Sequence, residues 1–284
     1  MPPGGGFVTT PAGYRLWCRD VGPSDAPALL FLHGNPTHGF LWRGVVARLC
    51  SRFRCLVPDL PGFGRSPLAA GAALPAVLAD AVTDLLDGRH TGPVILVGHD
   101  WGLATAAVVA GRRPDRVAGL VATNGWAWPL AGQPRFALFA RLMGGPPGRG
   151  LIRRCDGFVA LGLRLGMRRR GPSKRVMRAC HAPFRDPADR AVQWRLARAT
   201  TGATAFLQEA EAGLHRIADR PALVAWGDRD PAFRASERRR LEGLLPRHET
   251  VILAGAGHFT PEDAPEALAR AIAGRWGRAA PDLS

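Results

Sequence analysis

Val94-Ile95-Leu96-Val97-Gly98-His99-Asp100-Trp101-Gly102-Leu103-Ala104 is the stretch on which the fold turns. Its first four residues are apolar and mostly β-branched, the pattern of a short buried strand. Gly-x-Asp-x-Gly then turns the chain, and small residues (Ala104, Ala106, Ala107, Ala110) open a helix. This is a nucleophile elbow with aspartate at the tip, where G-x-S-x-G enzymes carry serine. So tight a turn leaves no room for a Cβ at Gly98 or Gly102. A carboxylate at the tip meets the unpaired N–H groups and positive dipole of a helix N-terminus. Alone, the motif could equally be an ordinary aspartate N-cap, so the surrounding chain has to decide.

Working outward, strands and helices alternate. Upstream, residues 7–21 read as a hairpin turning at Pro11-Ala12-Gly13. Residues 28–32 are a continuous apolar run suited to a central strand, ending in His33-Gly34-Asn35-Pro36-Thr37. An amphipathic helix over 39–49, a strand at 55–57, a glycine-punctuated loop and a helix over 75–87 follow. Downstream, a strand at 117–122 leads into Thr123-Asn124-Gly125-Trp126, and there the alternation stops. Residues 130–215 lack strands and carry breaks such as Gly144-Gly145-Pro146-Pro147-Gly148, the profile of an inserted helical cap. Alternation resumes with strands at 222–226 and 250–253 and helices over 235–245 and 262–276.

The expected architecture is an α/β fold: a mostly parallel, doubly wound sheet built from 1–129 and 216–284, with 130–215 as the cap. Ligands bind such sheets beyond the carboxyl ends of the strands. Asn35, Asp100, Asn124, Asp230 and His258 all fall just after strands, so they should gather at one edge.

Composition narrows the class. With 284 residues and 46 % hydrophobic content, the chain can bury one large core. No run approaches the ~20 apolar residues of a membrane span. Met-Pro-Pro-Gly-Gly-Gly has neither the basic start nor the apolar core of a leader, so a cytoplasmic location is expected. The five cysteines form no C-x-x-C pair and read as free thiols, with no metal site and no disulfide. Net charge is +15, but residues 131–200 hold sixteen Arg and Lys against three Asp and Glu, so most of it sits on the cap. The simplest reading is a solvated basic face. An anionic partner or a neighbouring subunit in a homo-oligomer is the alternative. No nucleic-acid-binding motif accompanies the charge.

Asp100, Asp230 and His258 stand in the order nucleophile, acid, histidine. Asp228 is a rival acid two positions from Asp230, and His258 is one of eight histidines. A serine nucleophile needs its proton removed before it attacks. A carboxylate is already ionised at pH 7 and can displace a leaving group from saturated carbon, forming an ester. Water must then hydrolyse that ester, with His258 as general base and Asp230 orienting the ring. The backbone N–H groups of Trp101 and Asn35 are placed to hold the oxyanion. The Trp101 indole N–H and the Asn35 amide are neutral donors suited to a large, weakly hydrated leaving anion.

These residues resemble those of the haloalkane dehalogenases, within the α/β-hydrolase fold. The likeness covers about 25–130 and 218–275 and rests on His33 to Thr37 with Phe40-Leu41-Trp42-Arg43, on Gly98 to Gly102, and on Gly255 to Phe259 with Glu262-Asp263-Ala264-Pro265. It implies Asp100 as nucleophile, His258 as base, Asn35 and Trp101 as the halide-stabilising pair, a small apolar substrate plus water, and no cofactor. Family subgroups take their acid either after the sixth strand or after the seventh. The former position here is Asn124, an amide, which points to Asp230. That combination resembles a subgroup overlapping the β-lactone decarboxylases, an alternative activity. The loop after Ser66 lacks the family's usual Asp-Lys-Pro, and the cap shows no clear similarity. Epoxide hydrolases share Gly-His-Asp-Trp-Gly but protonate their substrate with cap tyrosines; the one tyrosine here, Tyr14, lies outside the cap. A reading from another class is a binding protein that docks an acidic partner on 131–200.

Overall fold

The computed structural model describes residues 4–89 and 91–277. Met1, Pro2 and Pro3, part of the stretch read above for a leader, lie outside them.

Eight strands form one sheet: β1 (Gly5–Thr9), β2 (Arg15–Val21), β3 (Ala28–Leu32), β4 (Arg54–Pro58), β5 (Val94–Asp100), β6 (Val117–Gly125), β7 (Ala222–Gly227) and β8 (His248–Leu253). Their order is β1-β2-β4-β3-β5-β6-β7-β8. The β1–β2 and β2–β4 pairs are antiparallel and every other pair is parallel. Every residue of β3, β5 and β7 is buried. That requires cover on both faces, which is why these strands read as unbroken apolar runs instead of alternating ones.

The helices before the cap are α1 (Arg43–Leu49), α2 (Ala76–Asp87) and α3 (Trp101–Arg112). The stretch 130–215 carries α4 (Pro134–Gly144), α5 (Pro146–Cys155), α6 (Gly157–Gly166), α7 (Lys174–His181), α8 (Ala191–Gly202) and α9 (Thr204–Arg216), and no strand. After it come α10 (Ala235–Leu244), α11 (Thr260–Asp263) and α12 (Pro265–Trp276). Helix α1 packs on α12, while α2 and α9 pack on α3. Helix α9 thus touches the core directly: Arg216 Nη1 donates to the Gly111 carbonyl at 2.6 Å and Arg112 Nε to Glu209 at 2.8 Å.

The hydrophobic pattern places the elements and misjudges some ends. The expected helix over 262–276 is two, because Pro265 has no N–H to continue the first and restarts the chain as an N1 residue. The helix expected from 39 opens as a 3-10 turn over Gly39–Trp42. Strands β5 and β6 run on through Asp100 and Gly125, so Asp100 and Asn124 are strand-end residues rather than loop residues. Their ladder bonds are backbone bonds, which side-chain polarity does not report.

Candidate active site

Asp100 ends β5 and caps α3 with φ 52° and ψ −126°. A non-glycine residue there stores about 1–3 kcal/mol of strain, and the packing around it must hold the conformation. Glycine supplies the space: a Cβ on Gly102 would stand 2.1 Å from the Leu32 carbonyl oxygen, and one on Gly98 2.6 Å from Leu103 Cα. This is the crowding expected from the spacing.

The two carboxylate oxygens of Asp100 differ. Oδ1 accepts the Asn35 backbone N–H at 2.9 Å. Oδ2 faces His258 Nε2 at 3.9 Å. The loop that delivers Asn35 is fixed from below by buried His33. The Leu60 N–H donates to its Nε2 at 2.9 Å, so its Nδ1–H donates to the Gly34 carbonyl at 3.1 Å. Burial drops the His33 pKa to about 4, which keeps the ring neutral.

His258, in the loop after β8, points Nδ1 at Asp230 Oδ2, 3.0 Å away. Asp230 is held in turn: Asn124 Nδ2 donates to Oδ2 at 2.8 Å, and the Ala232 N–H donates to Oδ1 at 2.7 Å. Asn124 is wholly buried at φ 35°, and its Oδ1 accepts the Gly227 N–H at 2.9 Å. The rival Asp228 points away, accepting the Gly255 N–H at 2.6 Å in an exposed turn. Below the site, His99 Nε2 bonds the His258 carbonyl at 2.9 Å, and burial keeps His99 neutral, well below its usual pKa.

Burial pushes the Asp100 carboxyl up from its ordinary value. The charge on His258 and the N–H groups of Trp101 and Asn35 oppose that rise, and Asp230 adds to it. For His258, burial would lower the pKa. The charge and hydrogen bond of Asp230, with Asp100 behind them, outweigh burial and hold the ring above the ordinary imidazole value. Two carboxylates flank one imidazole, so the ring keeps a proton more readily until one carboxylate is neutralised.

The walls are aromatic. Trp101 lies edge-on to Trp126 (4.8 Å between centroids), Trp126 stacks on Phe233 (5.0 Å), and Phe233 approaches His258 (5.7 Å). The Trp126 indole N–H is buried without a protein partner. From the cap, the Gln193 backbone carbonyl accepts from Asn35 Nδ2 at 2.9 Å. One of the two amide hydrogens of Asn35 is therefore engaged by the cap, and its Oδ1 is buried without a protein partner. Gln193 Nε2 donates to buried Asp156 at 2.7 Å, which also meets His181 at 2.6 Å.

All five residues selected from the sequence thus lie together at the carboxyl end of the sheet. Asn124, expected at this edge but read as the vacant acid position with no task of its own, is a hydrogen-bond partner of Asp230. Trp126 and Phe233 stand within or beside motifs already quoted, but as ordinary aromatic residues they carried no distinguishing signal. Gln193 could not be found: it meets Asn35 across 158 residues of chain and through its backbone.

The sheet, the elbow and the post-strand histidine define the class: this is an α/β-hydrolase. The α/β hydrolase fold family matches residues 27–265, and the chain belongs to that family. It is 34 % identical over 260 residues to haloalkane dehalogenase 2 of Mycobacterium tuberculosis, covering 90 % of each chain. It is 35 % identical over 276 residues to a cis-3-alkyl-4-alkyloxetan-2-one decarboxylase of Xanthomonas campestris, covering 92 % of this chain and 91 % of that one. Among solved structures, haloalkane dehalogenase DbeA of Bradyrhizobium elkani superposes with a TM-score of 0.83 at 27 % identity, over 95 % of this chain and 96 % of that one.

Proposed function

We propose that this enzyme hydrolyses carbon–halogen bonds of small apolar haloalkanes through a covalent ester on Asp100. Asp100 Oδ2 attacks the carbon that bears the halogen, and the halide leaves with the bonding electrons. His258 then takes a proton from water, whose oxygen adds to Asp100 Cγ. The alcohol departs with the proton that His258 returns to it, the second proton of the water is released, and the carboxylate is restored. The observation that carries this reading is the division of labour on Asp100. Oδ1 is held by the Asn35 N–H where an oxyanion would form, and Oδ2 faces the histidine. Asp230 fixes the His258 tautomer, so that Nε2 is the nitrogen that works as base.

Trp101, with the remaining amide hydrogen of Asn35, receives the halide. Residues 130–203 act as the cap that excludes water from the carbon under attack, and α9 belongs with the core it packs on. Free cysteines at positions 18, 50, 55, 155 and 180 support a cytoplasmic setting. No helix among the described residues is long and apolar enough to cross a membrane.

The test is halide release from a panel of bromoalkanes by wild type and by Asp100→Asn. Release by wild type alone is expected, and release that survives in the variant would remove Asp100 from the reaction. The equally close match to an oxetan-2-one decarboxylase favours a second reading, in which Asp100 opens a β-lactone and carbon dioxide loss leaves an alkene. Alkene and carbon dioxide from a synthetic cis-3-alkyl-4-alkyloxetan-2-one, with no halide release from any bromoalkane, would establish it. Tyr14 packs beside Leu16, Ala81 and Leu85, away from the site, which argues against epoxide opening.

A further inference from the structure

The protein's exposed large apolar side chains are concentrated on the cap. Leu138 and Leu142 on α4 are 57 % and 50 % exposed, and Leu161 and Leu165 on α6 are 46 % and 59 % exposed. The two pairs share one construction. Leu138 and Leu142 follow buried Phe136 and Ala140 by two residues; Leu161 and Leu165 follow buried Val159 and Leu163 by two. Two residues are about half a helical turn, so each pair projects directly away from its helix's buried stripe. The helices adjoin through Phe139 and Phe158, whose rings lie 6.1 Å apart.

The same surface carries unneutralised charge. Arg141, Arg149, Arg153, Arg154 and Arg164 are exposed on α4, α5 and α6. Of the sixteen basic residues in 131–200, Arg135 is the one that meets a carboxylate among the described residues, on Glu237. Ion pairs with carboxylates are more frequent outside that stretch, as at Arg54, Arg112, Arg113 and Arg240.

We propose that the outer face of α4 to α6 docks the enzyme on an anionic lipid bilayer. Exposed leucines set among unpaired arginines are the pattern of an interfacial surface, with the leucines entering the headgroup boundary and the guanidinium groups meeting lipid phosphates. Charge decides against a second copy of the chain, because self-association would bring two strongly basic caps together. A nucleic acid would satisfy the arginines but leave four leucines against a phosphate backbone. The docking does not depend on which bond Asp100 attacks. It would place the cap against the phase in which an apolar substrate dissolves.

The experiment is vesicle flotation of the purified enzyme with phosphatidylcholine alone and with an equimolar phosphatidylcholine–phosphatidylglycerol mixture, at low and at physiological salt. Wild type is expected to float with the anionic vesicles and at least about tenfold less with the neutral ones. Leu138→Ser/Leu142→Ser/Leu161→Ser/Leu165→Ser should lose at least about tenfold of the anionic binding while turnover of a water-soluble substrate is unchanged. If that variant does not fold, Arg141→Glu/Arg164→Glu is the second probe, with the same expected loss. Sedimentation without lipid and retention of a duplex oligonucleotide complete the set. Absence of flotation, flotation indifferent to these substitutions, or a dimer or oligonucleotide complex that forms without lipid and requires the leucines would overturn the proposal.

Discussion

Asn124→Ala isolates a residue that touches neither substrate nor water yet should govern the hydrolytic half of the reaction. The side chain donates to Asp230 at 2.8 Å and to the Gly227 carbonyl at 3.3 Å, and accepts the Gly227 N–H at 2.9 Å. A hydrogen bond to a buried carboxylate contributes about 1.5–3 kcal/mol, and each neutral one about 0.5–1.5 kcal/mol. Asn also tolerates the left-handed φ of 35° better than Ala does. Together these give a destabilisation of about 2.5–6 kcal/mol, to be set against the about 5–15 kcal/mol of an ordinary domain. Urea unfolding followed by tryptophan fluorescence measures it. The kinetic effect should be selective. In the proposed mechanism Asp100 makes the ester without help from Asp230, whereas His258 needs Asp230 to hydrolyse it. If the lost bond is expressed in that step, steady-state turnover falls about ten- to a hundredfold. Rapid-quench kinetics on a bromoalkane should then show a halide burst of wild-type rate followed by a slow phase. A variant as stable as wild type, or a burst slowed in proportion to turnover, would refute the reasoning.

The pH dependence should shift between two states of the enzyme. In the free enzyme His258 titrates above the ordinary imidazole value, held up by Asp230 and Asp100. Ester formation neutralises Asp100, so the acidic limb of kcat should lie below the His258 titration seen by NMR in the free enzyme, and lower still in Asp230→Asn. Trp101→Phe keeps the ring and deletes the N–H; kcat for a bromoalkane should fall on the order of 10²–10³, by analogy with oxyanion-hole donors, with the fold intact by circular dichroism. Because burial pushes the Asp100 carboxyl up, ionising it costs the folded state. On the alkaline side of the raised His258 titration, Asp100→Asn should therefore melt at a higher temperature than wild type, as calorimetry would report.

Periodicity located the central strands because parallel strands covered on both faces are unbroken apolar runs, and the edge strands β1 and β2 were read from their hairpin turn. The elbow was legible because its glycines answer to sterics: Gly102 lies so close to Leu32 that no other residue type enters. Asp230 and His258 were legible from chain order and from their place after strands. The parts that escaped depend on tertiary approach. The bond from Asn35 to Gln193 uses a cap carbonyl, and any residue type at 193 would present the same backbone atom. The function of Asn124 depends on the rotamer that aims Nδ2 at Asp230. The break at Pro265 was written in the sequence, but the apolar pattern on both sides of it ran on without interruption. The basic run of 131–200 was visible, whereas it needed coordinates to show that, among the described residues, Arg135 alone of that run meets a carboxylate.

The central claim is a covalent ester on Asp100 that His258 hydrolyses. Intact-protein mass spectrometry of His258→Ala mixed with a bromoalkane tests it most directly. A mass increase of one alkyl group per chain is expected, retained on the peptide containing Asp100, with one equivalent of bromide released and no alcohol formed. An unmodified protein that still turns the bromoalkane into alcohol, or an adduct on any other residue, would contradict it.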